Sequence, residues 1–237
     1  MVHCKRANLL RSVMSPMTKS IQIDMPVELR RSPNWERPFL VGCKRAFDVG
    51  VSALLLILLS PLFAILTATV KLTSPGSIFY RWQVVGRGGR PFTGYKFRSM
   101  YSNADELKKG LEHLNEMGGP VFKLTNDPRI TKVGSWMRRY SLDELPQLYS
   151  VLKGDMSLVG PRPPLVSEYA RFTDYQKQKL AVKPGITCLW QINGRNEVKD
   201  FDEWVKLDLD YISRWTPMLD LQILLKTVTE VFGGSGK

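Results

Sequence analysis

Histidine and cysteine are scarce. The 237-residue chain has two histidines, His3 and His113, and three cysteines, Cys4, Cys43 and Cys188. The cysteines lie far apart and form no C-x-x-C pair. Neither a zinc site nor a disulfide framework is expected, and a reducing compartment fits. A Ser-His-Asp or Cys-His nucleophile is poorly supplied, so acid–base chemistry falls to carboxylates. Those are outnumbered: 22 Asp and Glu stand against 34 Lys and Arg, a net charge of +12. Such an excess implies an anionic partner, either nucleic acid, an anionic membrane surface or a phosphorylated substrate. No groove-reading motif supports nucleic acid, and none is expected as a partner. No internal repeat and no second folded domain is visible. The length suffices for one sizeable core with an appendage.

Residues 1–40 are basic and lack a clear period, with breakers at Pro16, Pro26, Pro33 and Pro38. They read as a loosely ordered arm beside anionic lipid. A secretory signal is not expected, because the apolar run comes too late and no small-residue cleavage site follows it. That run, residues 49–70, is uncharged and meets the roughly 20 residues a membrane helix needs. Lys44 and Arg45 precede it and Lys71 and Arg81 follow, so basic bias chooses no orientation. Ser60-Pro61 interrupts it. Pro61 removes the hydrogen bond to the carbonyl of Ile57 and kinks the helix, while the Ser60 hydroxyl can satisfy a freed backbone group. Each arm then reaches about 14 to 16 Å, half of a hydrocarbon core of about 30 Å. The expected arrangement is a re-entrant helix over residues 41–76, entering and leaving on one side. A kinked ordinary span is the alternative.

Residues 77–237 are expected to form a compact α+β unit, mainly helical, with a small β-hairpin over 77–100 turning at Gly86-Arg87-Gly88-Gly89-Arg90-Pro91. These glycines are not a nucleotide loop, since no G-K-[S/T] follows. In Tyr95-Lys96-Phe97-Arg98 the strand period puts Lys96 and Arg98 on one face. Two cations about 7 Å apart can grip a diphosphate, or simply be solvated. Helices are expected over 103–117, 133–140, 168–180, 200–214 and 218–232, and a short strand over 186–192. The 133–140 segment carries Trp136 beside Arg138 and Arg139, and suits a membrane interface or a packed surface. Gly160-Pro161-Arg162-Pro163 is a rigid turn presenting one guanidinium, which suits a fixed phosphate contact.

Ser141-Leu142-Asp143-Glu144-Leu145-Pro146-Gln147 sets two adjacent carboxylates at a helix start, amid the basic surplus. Asp143 reads as the N-cap with Pro146 at N3, where its missing N–H costs nothing. A capping box from Ser141 to Glu144 would put Pro146 at N5, so Asp143 is preferred. From local pattern alone, a plain helix cap accounts for the pair.

The wider set changes that weighting. Lys44-Arg45-x-Phe47-Asp48, Ser60-Pro61, Tyr95-Lys96-Phe97-Arg98-Ser99-Met100, the 141–147 stretch, Lys153-Gly154-Asp155-Met156-Ser157, Gly160-Pro161-Arg162-Pro163, Lys183-Pro184-Gly185-Ile186-Thr187 and Gln191-Ile192-Asn193-Gly194-Arg195 occur in this order. Together, over residues 41–232, they resemble the bacterial sugar transferase family, the monotopic phosphoglycosyl transferases that initiate exopolysaccharide and glycan assembly on a polyprenyl phosphate.

The resemblance implies an enzyme. A nucleotide-diphosphate sugar, usually a uridine one, gives its sugar-1-phosphate to membrane polyprenyl (undecaprenyl) phosphate. The products are a polyprenyl diphosphate sugar and a nucleoside monophosphate. It further implies Mg²⁺ and an aspartyl-phosphosugar intermediate. Asp143 matches the nucleophile, and Glu144 matches its partner in metal binding and proton handling. Ser60-Pro61 matches the break of the re-entrant helix. The implied place is the cytoplasmic membrane of a bacterium, with the catalytic part on the cytoplasmic face and membrane lipid as a partner. A homodimer is left open.

The residues agree with this. A carboxylate attacks phosphorus without prior deprotonation, and a second one beside it suits a hard cation. Lys96, Arg98, Arg129, Arg162 and Arg195 are the expected phosphate-binding cations. Longer members carry membrane helices and a further domain before this core, and the 118–129 stretch is similar to their loop. The rival reading is a non-catalytic bitopic membrane protein whose basic face binds lipid or a partner.

Overall fold

The computed structural model describes residues 31–193, 198 and 200–234. Ser32 and a 3-10 turn, Pro33–Glu36, lie against the main core, where Trp35 stacks on Trp215 with ring centroids 4.0 Å apart. Residues 1–30 of the expected arm lie outside the described residues.

Two helices follow, α1 over Pro38–Leu58 and α2 over Ser60–Thr73, bent by 63° at Leu59. Pro38 and Pro61 both sit in first turns, where a missing N–H interrupts nothing within the new helix. Ser60 Oγ donates to the Ile57 carbonyl at 2.8 Å, the acceptor that Pro61 leaves without its helical partner. Helix α1 begins well before the apolar run and is about 31 Å long in all, while its apolar part from Val49 to Leu58 extends about 15 Å, close to the expected 16 Å. Among the described residues no single helix is long and apolar enough to cross a membrane, whereas the bent pair passes that test together. Leu54, Ile57, Leu58, Ile65 and Leu72 on it are exposed.

The hairpin forms as expected. Strand β1, Phe79–Val85, pairs antiparallel with β2, Pro91–Phe97, around a 3-10 turn at Arg87–Gly89. Helix α3, Ala104–Leu111, tightens into a 3-10 turn at Glu112–Leu114, short of the expected end. Helix α4, Lys132–Arg139, is capped by the Thr131 hydroxyl, which accepts from Gly134 N at 2.9 Å. Helix α5, Gln147–Lys153, ends on Gly154 with φ 94°.

A second sheet was not expected. Strands β3, Ser157–Val159, and β4, Gly185–Thr187, pair in parallel. The single helix expected over 168–180 is broken into α6, Val166–Tyr169, α7, Asp174–Lys177, and a 3-10 turn at Gln178–Ala181. Thr173 and Gln176 form a capping box that restarts the helix. The strand expected over 186–192 stops at Thr187, and α8, Leu189–Ile192, replaces the rest. Helices α9, Phe201–Arg214, and α10, Pro217–Gly233, close the chain.

The main core joins Val151, Met156, Val159, Ile212, Trp215 and Ile223 to the inner face of α1. Three polar side chains of α1 fix it there. Lys44 donates to Asp220 at 2.6 Å, and Arg45 donates to the Val151 and Leu152 carbonyls at 2.6 and 2.8 Å. The buried Asp48 accepts from Ser157 Oγ at 2.7 Å and Leu158 N at 3.1 Å. The far end of α2 is held by Arg98, which donates to Ser74 O at 2.7 Å, Ser74 Oγ at 2.8 Å and Pro75 O at 2.9 Å. Both ends of the bent pair are therefore tied to one folded body.

Candidate active site

Asp143 and Glu144 lie in a 3-10 turn, Leu142–Glu144, between α4 and α5. Neither capping expectation holds. Pro146, not Asp143, is the residue before α5, and Ser141 makes no side-chain cap bond. A 3-10 turn forms because Ser141 enters it at φ 52°, the one non-glycine positive φ among the described residues. Such backbone costs about 1 kcal/mol or more and persists when packing fixes it. The turn rotates both carboxylates inward: Asp143 is 6% and Glu144 7% exposed. Arg45 also bears on the site, since it holds the end of α5, the helix that follows the acidic pair.

Cations surround the pair. Lys96, reaching from β2, sits 2.7 Å from Glu144 Oε1, and Arg162 lies 3.9 Å from the same oxygen. Burial lowers the Lys96 ammonium below the ordinary lysine range, with Glu144 and Asp143 opposing the shift and Arg162 adding to it. Arg138 is the residue that sequence reasoning missed. Burial pulls its guanidinium down, and the carboxylates of Asp143, Asp127 and Glu144 push it back, with Asp143 foremost. Its Nε donates to Ser99 Oγ at 2.8 Å. Gly134, one turn earlier on α4, permits this contact, because a Cβ there would lie 1.9 Å from Ser99 O. The signal was present in outline: position 138 follows Gly134 by four and so shares its buried face.

The other expected cations divide. Arg98 lies beyond the end of β2 and is engaged by the Ser74 and Pro75 carbonyls just past α2, so it does not share a diphosphate grip with Lys96. Arg129 is also a brace. Its Nε and Nη2 donate to Asp127 Oδ1 and Oδ2 at 2.9 and 2.6 Å, and Nη1 donates to Ala104 O at 3.2 Å. Burial would raise the Asp127 carboxyl, but these bonds hold it below the ordinary carboxylate range. Both arginines differ from expectation for one reason: buried carbonyls and carboxylates satisfy a guanidinium as well as a phosphate does. Arg195 lies outside the described residues. Arg162 carries its guanidinium 5.9 Å above the Trp204 ring, beside a narrow cleft walled by Val121, Phe172 and Phe201. Behind it a fully buried Lys179–Asp208 pair closes at 2.6 Å. Cys188 is buried nearby, its thiol pushed up to about 12 by desolvation first and by Asp208 second.

The fold and site together define an α+β protein with a buried carboxylate pair beside Lys96, Arg138 and Arg162, on a body that carries a bent apolar helix pair. Comparison with known families places it more closely. The family described as bacterial sugar transferase matches residues 40–234, and the chain belongs to it. It is 49% identical over 193 residues to the galactosyl transferase CpsE of Streptococcus agalactiae, covering 81% of this chain and 43% of that protein. It is 47% identical over 197 residues to the undecaprenyl-phosphate galactose phosphotransferase of Salmonella typhimurium, covering 81% and 41%. The exopolysaccharide production protein ExoY of Rhizobium meliloti is 40% identical over 199 residues, with 82% and 88% covered. The chain thus spans less than half of the first two relatives and most of the third.

Proposed function

We propose that the protein is a phosphoglycosyl transferase that moves a sugar-1-phosphate from a uridine diphosphate sugar to undecaprenyl phosphate at the cytoplasmic face of a bacterial membrane. The observation that carries this is the Asp143–Glu144 pair, buried and yet facing three cations. A plain helix cap needs neither the burial nor the cations. Relatives named for undecaprenyl-phosphate galactose and glucose-1-phosphate transfer support the reaction class.

In the proposed reaction an Asp143 oxygen attacks the phosphorus that bears the sugar. The bond from that phosphorus to the nucleoside monophosphate breaks, and the monophosphate leaves with the electron pair. An oxygen of the polyprenyl phosphate then attacks the same phosphorus and releases the Asp143 carboxylate. Each step exchanges one P–O bond for another, and no net proton moves. A chain with two histidines can therefore run it. Arg138 and Arg162 stabilise charge on the transferred phosphoryl oxygens, and Lys96 holds Glu144 in place.

A Mg²⁺ ion fits this site. Asp143 and Glu144 offer hard oxygen ligands, and Mg²⁺ takes one or two carboxylates with substrate phosphates and water for the rest. When bound, the ion supplies neutralisation of the diphosphate charge.

The bent helix pair is read as re-entrant. Lys44, Arg45 and Asp48 fix its start and Arg98 fixes its end to the same body, which supports a pair whose two ends lie on one face. A re-entrant insertion would hold the site near the headgroup level, where the acceptor phosphate lies. The test is release of uridine monophosphate from a panel of uridine diphosphate sugars, with undecaprenyl phosphate and Mg²⁺, by the wild type and by Asp143→Asn. Release by the wild type alone is expected. Equal release by both would remove Asp143 from the chemistry.

A further inference from the structure

Trp82 stands directly across the hairpin from Gly94, and Lys96 is two residues further along the same strand face. The indole lies over the space that Gly94 leaves open: a Cβ at Gly94 would come within 2.3 Å of Trp82 Nε1. In this position the ring faces the Lys96 ammonium, 4.5 Å from its centroid. Trp82 is 7% exposed, and its Nε1–H makes no hydrogen bond among the described residues. A buried indole normally finds a partner for that N–H. Here the ring is placed by its face and not by its polar edge.

Lys96 is thus held from two sides. Glu144 approaches it at 2.7 Å on one, and the indole covers the other. A lysine ammonium on a four-carbon stem has many rotamers, and a cation–π contact in a desolvated site selects among them. Lys96 is in turn the cation that approaches the Glu144 carboxylate at 2.7 Å, with Arg162 at 3.9 Å from the same oxygen. Resting on the functional reading above, we infer that Trp82 is a positioning residue that aims Lys96 at Glu144, with Gly94 as the gap that admits it. It touches no substrate and acts through Lys96.

The experiment is a double-mutant cycle on the full chain in detergent, with Trp82→Leu, Trp82→Phe, Lys96→Met and Trp82→Leu/Lys96→Met. Trp82→Leu is expected to lower kcat/KM about tenfold, and Trp82→Phe, which keeps a π face, to stay within about threefold of wild type. In the Lys96→Met background, Trp82→Leu is expected to cost nothing further, in turnover or in donor affinity. A merely structural tryptophan would cost the same factor in both backgrounds, and that result overturns the inference, as does a Trp82→Leu variant with wild-type turnover. Should Trp82→Leu fail to fold, Gly94→Ala, which displaces the ring, takes its place in the cycle. The same variants read by chemical unfolding report the Trp82–Lys96 coupling without substrate. Zero coupling there overturns the inference whatever the activity, while a wild type inactive with every donor would overturn only the functional reading.

Discussion

Arg98→Met separates a brace from a phosphate grip. The substitution keeps the length and apolar stem of the side chain and removes its donors. Three bonds of 2.7 to 2.9 Å to Ser74 and Pro75 are lost, and with them the tie between the end of α2 and the hairpin. A hydrogen bond from a charged donor contributes about 1.5–3 kcal/mol, and a buried acceptor left without a partner costs about 1–3 kcal/mol. Ser74 is buried, whereas Pro75 is exposed and its carbonyl can be rehydrated. The losses are not additive, so a destabilisation of about 3–5 kcal/mol is expected. Guanidinium unfolding in mild detergent measures it, and donor KM is read on the protein that remains folded. The account predicts lower stability with donor KM within about twofold of wild type. A variant of normal stability with KM raised tenfold or more would show that Arg98 binds phosphate and that the brace is incidental.

Other outcomes follow from the same contacts. Asp220 accepts from Lys44 at 2.6 Å, Tyr211 at 2.8 Å and Trp215 at 3.2 Å, so Asp220→Ala leaves a largely buried ammonium short of its counter-charge. About 3–5 kcal/mol of stability should be lost, and a loss under 1 kcal/mol would contradict the role given to this network. Pro61→Ala restores the missing N–H and should straighten the helix pair. Cysteines placed before Lys44 and after Lys71 should be labelled from one side of the membrane in wild type and partly from both sides in the variant; labelling from opposite sides in wild type would refute the re-entrant reading. The Asp127 carboxyl is held low by Arg129, so its contribution is fully present above the unfolded value of about 4 and is lost as pH falls through the lower folded value. Unfolding midpoints of wild type and Asp127→Asn should differ at pH 6 and draw together as pH falls below about 4. Parallel curves would show that the pair adds nothing.

What the sequence revealed depended on how local the cause was. The hairpin, the start of α10 at Pro217 and the Ser60–Ile57 bond are set by residues close in the chain, and all were legible. So was the acidic pair, though not its turn, because a serine at positive φ leaves no mark in composition. The capping box at Thr173 was written in the sequence but masked by the charged periodicity on either side. Strands β3 and β4 are three residues each, too short for a period of two to show. The arginines divided for a longer-range reason. Lys96, Arg98, Arg129 and Arg138 look alike as charges, and only the fold decides which faces a carbonyl, a carboxylate or open site. Arg138 and Arg139 are adjacent, and a helix face sends one inward. Trp82 needed the strand register, which pairs it with the single glycine that makes room for it.

The account turns on Asp143 as nucleophile. The most direct measurement is intact-protein mass after incubation with a uridine diphosphate sugar and Mg²⁺ but no polyprenyl phosphate, in wild type and Asp143→Asn. The prediction is one added sugar phosphate on wild type, accompanied by an equivalent of uridine monophosphate and removed by hydroxylamine or by later addition of the acceptor, with no addition to the variant. A wild type that turns over with the acceptor present yet gains no mass without it, however rapidly sampled, would contradict the covalent route and leave direct transfer between the two substrates.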